Sequence, residues 1–297
     1  MMRQILIALH VAVLFITAPV TQGAVAEDIQ AWLDYDRPAD YEAIVKEVRP
    51  AMRDGVTLSC YLAVPGKNGQ AVSGKFPGII SNVNPYTLLE RFFINGIKRW
   101  AEYGYQGLTC RVRGTGDSEG EYPYYAADTL HLEWSDSYDL VEWFAAQPGS
   151  NGRIGQEGAS YGGLTAYQAA IGNPPHLVAI ATEVAPGDFY LDHIYPGGIK
   201  TRRFTVDNWP VVTGMMNFPK FSPFRLWGEW IDHPTHDRYW DGLAVTPKLA
   251  AVEVPVLAIS GWKDHLFRGG ALDNYEMLVA QGHGNKTWLL AGPWEHE

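Results

Sequence analysis

Short apolar runs bounded by Gly, Pro or polar residues alternate along the chain with longer stretches in which apolar residues recur at helical spacing. The runs that predict strands are, in chain order, "EAIVKEVRPAMRDGVTLSCYLAVPG", which holds two strands joined by an "RDG" turn, then "GKFPGIISNVNPY", "LTCRVRG", "GRIGQEGAS", "LVAIATEVAP", "VPVLAISGW" and "KTWLLAGPW". The stretches that predict helices are "LLERFFINGIKRWAEYGYQG", "TLHLEWSDSYDLVEWFAAQPG", "LTAYQAAIG" and "ALDNYEMLVAQG". Strands that alternate with helices in this way predict an α/β fold with a mostly parallel central sheet.

The alternation is interrupted between Gly187 and about Ala250, where the chain is rich in Trp, Phe, Tyr, Pro and His and lacks clear strand patterns. We interpret this stretch as an inserted cap over the C-terminal edge of the sheet. The predicted organisation is a leader at 1–26, a first part of the α/β core at 27–186, the cap at 187–250 and a second part of the core at 251–297.

The first 26 residues have the pattern of an export signal. Arg3 gives a basic start, "ILIALHVAVLFITAPV" is the apolar middle, and Ala24 to Ala26 form the small-residue cleavage pattern. A membrane anchor is the alternative, but the apolar run is short for a full span. We therefore expect a secreted or periplasmic protein that has no membrane contact after the signal is removed.

The composition is that of a globular protein, with 46% hydrophobic and 19% charged residues in a chain of 297. The formal net charge of −10 argues against a nucleic-acid partner, which would need a basic face. No Cys or His pair has the spacing of metal ligands, so no metal site is expected. The two cysteines, Cys60 and Cys110, either pair in an oxidising compartment or remain separate small buried residues, and the second alternative is favoured.

The stretch "GASYGG", Gly158 to Gly163, places a serine between glycines where a predicted strand meets a predicted helix. A Gly-x-Ser-x-Gly turn of this kind strains the serine backbone and exposes its oxygen at the positive end of the helix, which suits a nucleophile. The alternative is a glycine-rich turn with no chemistry. Asp264 and His296 each follow a later predicted strand, in the order Ser, acid, His that a catalytic triad on this fold would need.

From about Val45 to its end, the chain resembles the group of serine hydrolases that comprises cocaine esterase, X-Pro dipeptidyl-peptidase and α-amino-acid ester hydrolase. The resemblance rests on "MRDGVTL", "NPY", "RGTGDSEG", "EWFAAQPGSNGRIG", "GASYGG", "HPTHDRYW", "VPVLAISGWKD" and "AGPWEH", in the order of the family. It implies an α/β-hydrolase fold with a helical cap. It also implies Ser160 as nucleophile, Asp264 as orienting acid and His296 as general base. The hydroxyl of Tyr86 and the backbone N–H of Tyr161 would bind the oxyanion.

The cap of this family shapes the acyl pocket. Trp209, Trp227 and Trp230 are therefore candidates for substrate binding, and Trp240 lies in the same segment. Amino-acid ester hydrolases bind the substrate ammonium with an acidic cluster, and Asp192 matches one member of it. Leu266 and Phe267 stand at the other two positions. The resemblance therefore argues against substrates with a free α-amino group.

The chain departs from the family pattern at two further places. Gln156 and Glu157 stand in the strand before the serine, where apolar residues are usual, and Arg111 stands where the family often has an acid. A buried unpaired charge is costly, so either Glu157 pairs with Arg111 or Arg113, or the local packing differs from that of the family. Family members also continue past the position of Glu297 into a helix and a β-sandwich domain absent from this chain, which suggests a truncated or fragment sequence.

The sequence thus predicts an exported serine hydrolase that cleaves an ester or amide of a small-molecule or peptide acyl substrate, without a cofactor. X-Pro dipeptidyl-peptidase activity is the alternative with the same chemistry. A catalytically inactive binding module that keeps the fold is the alternative of another class. The oligomeric state is left open.

Overall fold

A computed structural model of the chain describes residues 37–122, 130–201, 214, 216, 217 and 223–296. Residues from Ala39 onward cluster as one unit. The export signal predicted at 1–26 and the candidate pocket residue Trp209 lie outside the described residues.

The described strands form a single sheet in the order β1-β2-β5-β4-β6-β7-β8-β9, with β3 paired to β2. Strands β4 to β9 run parallel, whereas β1, β2 and β3 pair antiparallel. The predicted α/β fold with a mostly parallel sheet is therefore confirmed. The strands are β1 (Glu42–Val48), β2 (Cys60–Lys67), β3 (Gln70–Ala71), β4 (Phe76–Ser81), β5 (Gln106–Cys110), β6 (Ser150–Ala159), β7 (Leu177–Glu183), β8 (Val256–Gly261) and β9 (Thr287–Gly292).

The α-helices lie on both faces of this sheet. A side chain at Gly78 of β4 would meet Phe144 of α2, whereas Trp100 of α1 reaches Glu157 on β6, beside Ser81 of β4. Because successive residues of a strand point to opposite faces, α1 and α2 cover different faces. No helix within the described ranges is long and apolar enough to cross a membrane. The α-helices are α1 (Glu90–Glu102), α2 (Leu130–Ala145), α3 (Tyr161–Gly172), α4 (Pro223–Asp232), α5 (Arg238–Leu243) and α6 (Arg268–Leu278).

The segment between β7 and β8 is helical in its described parts and contributes no strand there. Its aromatic residues pack on one another: the ring of Tyr190 lies 5.0 Å from that of Tyr195 and 5.3 Å from that of Trp240. Aromatic packing of this kind gives a short helical segment a core of its own. The cap boundaries at 187 and 250 remain predictions. Besides α4 and α5, the segment holds short helical turns at Phe189–Ile194, Pro196–Gly198 and Thr246–Ala251.

The preference for two separate cysteines is wrong, because Cys60 and Cys110 form a disulfide. The two residues face each other in the antiparallel register of β2 and β5, with their Cα atoms 4.1 Å apart. Their separation of 50 residues along the chain hides this pairing from a sequence pattern.

Of the two alternatives for Glu157, the pairing with Arg111 or Arg113 is wrong. Its Oε1 accepts hydrogen bonds from the hydroxyl of Ser81, at 2.8 Å, and from the indole of Trp100, at 2.9 Å. Arg113 instead donates to Asp136 at 2.7 Å and to Asp54 at 2.9 Å. Glu157 is half-buried rather than fully buried, so its charge is compensated by neutral donors and by solvent.

Candidate active site

Ser160 lies at a sharp turn between the last residue of β6 and the first residue of α3. Its backbone has φ 56° and ψ −117°, in the left-handed region that residues with a side chain rarely occupy. The amide of Ser160 donates to the carbonyl of Glu183 at 2.9 Å, and its carbonyl accepts from Leu164 at 3.1 Å. The neighbouring strand and the following helix therefore hold the strained conformation in place.

The glycines of the turn are required by close backbone approach. A side chain at Gly158 would overlap the backbone of Gly162, and one at Gly162 would lie 2.5 Å from Oδ1 of Asn82. The same oxygen of Asn82 accepts the amide of Ala159 at 3.0 Å. The loop after β4 is thus hydrogen-bonded directly to the turn that presents Ser160.

His296 and Asp264 complete a chain of hydrogen bonds that begins at the serine. Nε2 of His296 lies 3.0 Å from Oγ of Ser160, and Nδ1 lies 3.1 Å from Oδ1 of Asp264. Asp264 follows β8 and His296 follows β9, so parallel strands deliver both side chains to one edge of the sheet. The structure therefore brings together the three residues that the sequence singles out.

Asp264 is fixed by its surroundings. Its Oδ1 also accepts the amides of Leu266, at 2.7 Å, and Phe267, at 3.2 Å. Burial by itself raises the pKa of the carboxyl, but the hydrogen bonds from His296 and from these amides outweigh it and leave the pKa below its usual range. The carboxylate is therefore ionised at neutral pH and can hold His296 with its Nδ1 proton directed toward Asp264.

Tyr86 and the amide of Tyr161 converge beside the serine. The hydroxyl of Tyr86 donates to Oγ of Ser160 over 3.5 Å. Burial raises the pKa of the Tyr86 phenol, while hydrogen bonds with Ser160 and with the backbone of Tyr161 act in the opposite direction. Both groups are donors that one substrate carbonyl oxygen could reach at the same time, which is the arrangement of an oxyanion hole.

Asn84 and Glu133 support these two donors, and neither was a candidate from sequence. Oδ1 of Asn84 accepts the backbone amide of Tyr86 at 2.9 Å. Glu133 accepts the phenol of Tyr161 at 2.6 Å and the amide of Gln168 at 3.0 Å, and burial raises its pKa to about 7. The polar "SNVN" at the end of an apolar strand is a signal that could have indicated Asn84. Glu133 has no such signal, because it resembles any polar residue of an amphipathic helix.

A cavity of about 620 Å³ opens in front of the serine. Its described lining includes no arginine or lysine, and its charged side chains are Glu157 and Glu183, with His193, His265 and His296 as titratable neighbours. An apolar group without negative charge therefore fits this space best. The apolar lining consists chiefly of Leu89, Phe92, Phe93, Phe189, Trp230, Leu266 and Phe267.

The residues predicted to line the pocket have different positions in the structure. Trp230 lines the cavity, and the side chain of Trp227, in α4, lies outside the described set. Asp192 is not among the described lining residues: its Oδ2 accepts the amide of Asp188 at 2.7 Å, and burial raises its pKa to about 7. In the helical turn Phe189–Ile194, Phe189 and His193 face the cavity instead.

A parallel sheet whose central strand turns sharply into a helix at a serine, with a histidine and an aspartate from later strand ends, defines an α/β hydrolase. The family model described as X-Pro dipeptidyl-peptidase (S15 family) matches residues 54–220 and 217–297. The chain belongs to this family, and the resemblance stated from its motifs is confirmed.

Among individual proteins, the chain is 27% identical to cocaine esterase of Rhodococcus sp. (strain MB1 Bresler) over 86% of its own length and 49% of that protein. An α-amino acid ester hydrolase structure is 21% identical, with a TM-score of 0.71 over 95% of this chain and 51% of that one. A CocE/NonD family hydrolase structure from Staphylococcus aureus is 24% identical, with a TM-score of 0.69 over 86% and 48%. The chain thus spans about half the length of these relatives.

Proposed function

We propose that this protein is an exported serine hydrolase that cleaves carboxylic esters through an acyl-enzyme. The observation that carries the proposal is the continuous hydrogen-bonded chain from Ser160 through His296 to Asp264, at a strained strand-to-helix turn. A structural serine needs neither a strained backbone nor a histidine 3.0 Å from its hydroxyl.

In the first half of the reaction, Nε2 of His296 takes the hydroxyl proton as Oγ of Ser160 attacks the ester carbonyl. The carbonyl oxygen becomes an oxyanion that accepts hydrogen bonds from the Tyr86 hydroxyl and the Tyr161 amide. His296 then returns the proton to the leaving alcohol, the C–O bond to the alcohol breaks, and the acyl group remains on Ser160.

In the second half, a water molecule takes the place of the alcohol. His296 removes a proton from the water, the hydroxide attacks the acyl carbonyl, and the oxyanion forms against the same two donors. The proton on Nε2 passes to Oγ as the acyl bond breaks, which releases the carboxylic acid and restores the free serine.

The cavity supports a neutral, largely apolar acyl group. Leu266 and Phe267 present apolar surface directly beside the Asp264 and His296 pair, and Phe92, Phe93 and Trp230 extend it. An α-ammonium group placed against Leu266 and Phe267 would lose hydration without gaining a charged partner from them. Esters without a free α-amino group are therefore the preferred substrate class.

X-Pro dipeptidyl-peptidase activity is the second candidate. The family match favours it, and so do the carboxylates of Glu157 and Glu183 in the cavity lining, which would attract a peptide N-terminus. Glu157 already accepts two hydrogen bonds on Oε1, which weakens its pull on a further donor.

Export is supported by two independent features. The leader has a basic start, an apolar middle and an Ala-x-Ala pattern. The Cys60–Cys110 disulfide is typical of proteins that mature in an oxidising compartment.

The test compares 4-nitrophenyl esters of increasing acyl length with Ala-Pro-4-nitroanilide, with Ser160→Ala as the matched control. We expect kcat/KM for the best ester to exceed that for the anilide by at least about 100-fold, and Ser160→Ala to abolish both rates. Faster turnover of the anilide would favour the peptidase. Ester turnover that survives in Ser160→Ala would refute the proposed mechanism.

A further inference from the structure

Arg111 is a buried cation whose charge has only a weak partner. It directly follows β5 and is 4% exposed. Its Nη2 lies 3.8 Å from Oε2 of Glu90, whose side chain is 41% exposed. Burial lowers the pKa of the guanidinium, and Glu90 only partly opposes this. A buried charge with so weak a partner adds little to stability. The other contacts of Arg111 therefore indicate what the residue does.

The first of these contacts leads to the backbone of Tyr86. Nη1 of Arg111 donates to Oδ1 of Asn84 at 3.0 Å, and the same oxygen accepts the amide of Tyr86 at 2.9 Å. Asn84 is fully buried, and its own amide group donates to the carbonyl of Asn82 at 2.6 Å. Asn84 is therefore held in one orientation, and its side chain links Arg111 to the Tyr86 backbone through hydrogen bonds.

The second contact leads to the Tyr86 ring. The guanidinium carbon of Arg111 lies 5.6 Å from the centre of the Phe93 ring, within range of a cation–π interaction. Phe93 in turn stacks on Tyr86, with ring centres 6.4 Å apart and an interplanar angle of 24°. Arg111 thus reaches both ends of one residue, the amide through Asn84 and the ring through Phe93.

We infer that Arg111 is a positioning residue for the oxyanion donor Tyr86, acting through Asn84 and Phe93. The inference rests on the proposed function, in which the Tyr86 hydroxyl binds the oxyanion. That hydroxyl lies 3.5 Å from Oγ of Ser160, so a small displacement of the whole ring would move it out of reach of the reacting carbonyl. Arg111 acts on the transition state through Tyr86 and does not touch the substrate.

Arg111→Met in the full chain removes both contacts while keeping an unbranched side chain of similar length. Because the ion pair with Glu90 is loose, we expect the variant to fold with a melting temperature close to that of the parent. We expect kcat for the ester to fall about tenfold with KM within about twofold, since the lost interaction acts on the transition state. Arg111→Lys, which keeps a donor for Asn84, should recover part of kcat.

Two comparisons separate positioning from general packing. In the Tyr86→Phe background, which lacks the hydroxyl to be positioned, Arg111→Met should change kcat by less than about twofold. Arg153→Met, the same change at an exposed arginine, should leave kcat and KM as in the parent. An equal drop in kcat with and without the Tyr86 hydroxyl, or an unchanged kcat in folded Arg111→Met, would overturn the inference.

An NMR measurement on Tyr86 tests the positioning role of Arg111 without the need for enzyme activity. The chain is labelled with tyrosine carrying ¹³C at Cζ, and the Tyr86 resonance is assigned from its absence in Tyr86→Phe. Arg111→Met should shift this resonance and Arg153→Met should not. A shift in a chain that turns over no ester would support the positioning role and refute the proposed ester cleavage, whereas an unmoved resonance would refute the positioning role.

Discussion

Nδ1 of His296 lies 3.1 Å from Oδ1 of Asp264, although the two residues are 32 positions apart and follow different strands. The parallel pairing of β8 with β9 brings them together, since it places the carboxyl ends of both strands at the same edge. The amides of Leu266 and Phe267 donate to the same carboxylate oxygen and fix its position. The orientation of the imidazole is therefore set by the sheet and by Asp264 together.

Asp264→Asn is expected to lower kcat by about 10⁴-fold, because the amide cannot stabilise the imidazolium and favours the wrong tautomer of His296. The melting temperature should change little, since Oδ1 of an asparagine can still accept the two backbone amides. Steady-state ester kinetics measure the effect, with the exposed Asp273→Asn as control. A loss smaller than about tenfold would show that Asp264 does not orient the base.

Tyr86→Phe is expected to reduce kcat by about 10²–10³-fold, the usual effect of removing one oxyanion donor, with KM nearly unchanged. The hydroxyl is lost while the stacking on Phe93 is kept. The control is Tyr105→Phe, which removes a hydroxyl from a ring packed on Trp100. If KM rose and kcat stayed constant, Tyr86 would bind the ground state instead.

Glu133→Gln is expected to change how stability depends on pH. Burial raises the pKa of Glu133 from 4.5 to about 7 in the folded protein. Between these values the unfolded chain loses the proton while the folded chain retains it, so the free energy of unfolding of the parent falls as pH rises, and it levels off above pH 7. The glutamine has no proton to lose. The free energy of unfolding of the variant, relative to that of the parent, should therefore rise by up to about 3 kcal/mol across this pH range.

Urea unfolding at several pH values from 4.5 to 8 measures this difference, with the exposed Glu253→Gln as control. A difference between Glu133→Gln and the parent that stays constant with pH would contradict the account of a buried, protonated carboxyl beneath Tyr161.

Removal of the disulfide is expected to destabilise the chain by roughly 4 kcal/mol, the loop-closure value for a crosslink of this span. The double variant Cys60→Ser/Cys110→Ser therefore should have a clearly lower melting temperature than the oxidised parent. Alkylation of the denatured parent without reductant should add no label, because both cysteines of the sequence are bonded. Two labels before reduction would show that the bond does not form.

Much of the site could be predicted because its chemistry lies in local motifs at strand ends. Gly158 to Gly162 specify the strained turn at Ser160, and the alternation of strands and helices places Asp264 and His296 at one edge. The mostly parallel sheet follows from the same alternation, whereas the alternation does not predict that β5 lies between β2 and β4. Local patterns of this kind depend on neighbours in the sequence, so one chain suffices to detect them.

The features that escaped prediction depend on contacts between distant residues. Cys60 meets Cys110 only through the antiparallel register of β2 and β5, and Glu157 finds Ser81 and Trp100 only once α1 packs on the sheet. Glu133 is 1% exposed because α2 lies against α3, which a helical pattern does not reveal. The partners and the burial of such polar groups depend on tertiary packing, which a single sequence does not reveal.

The central claim is that Ser160 is an activated nucleophile. The most direct test treats the purified chain, without its leader, with a fluorophosphonate and records intact mass beside Ser160→Ala. The account predicts one adduct on the parent and none on the variant, because only a serine whose proton passes to His296 attacks the phosphorus rapidly. A folded parent that gains no adduct would contradict the account and favour a hydrolase fold retained as a binding module.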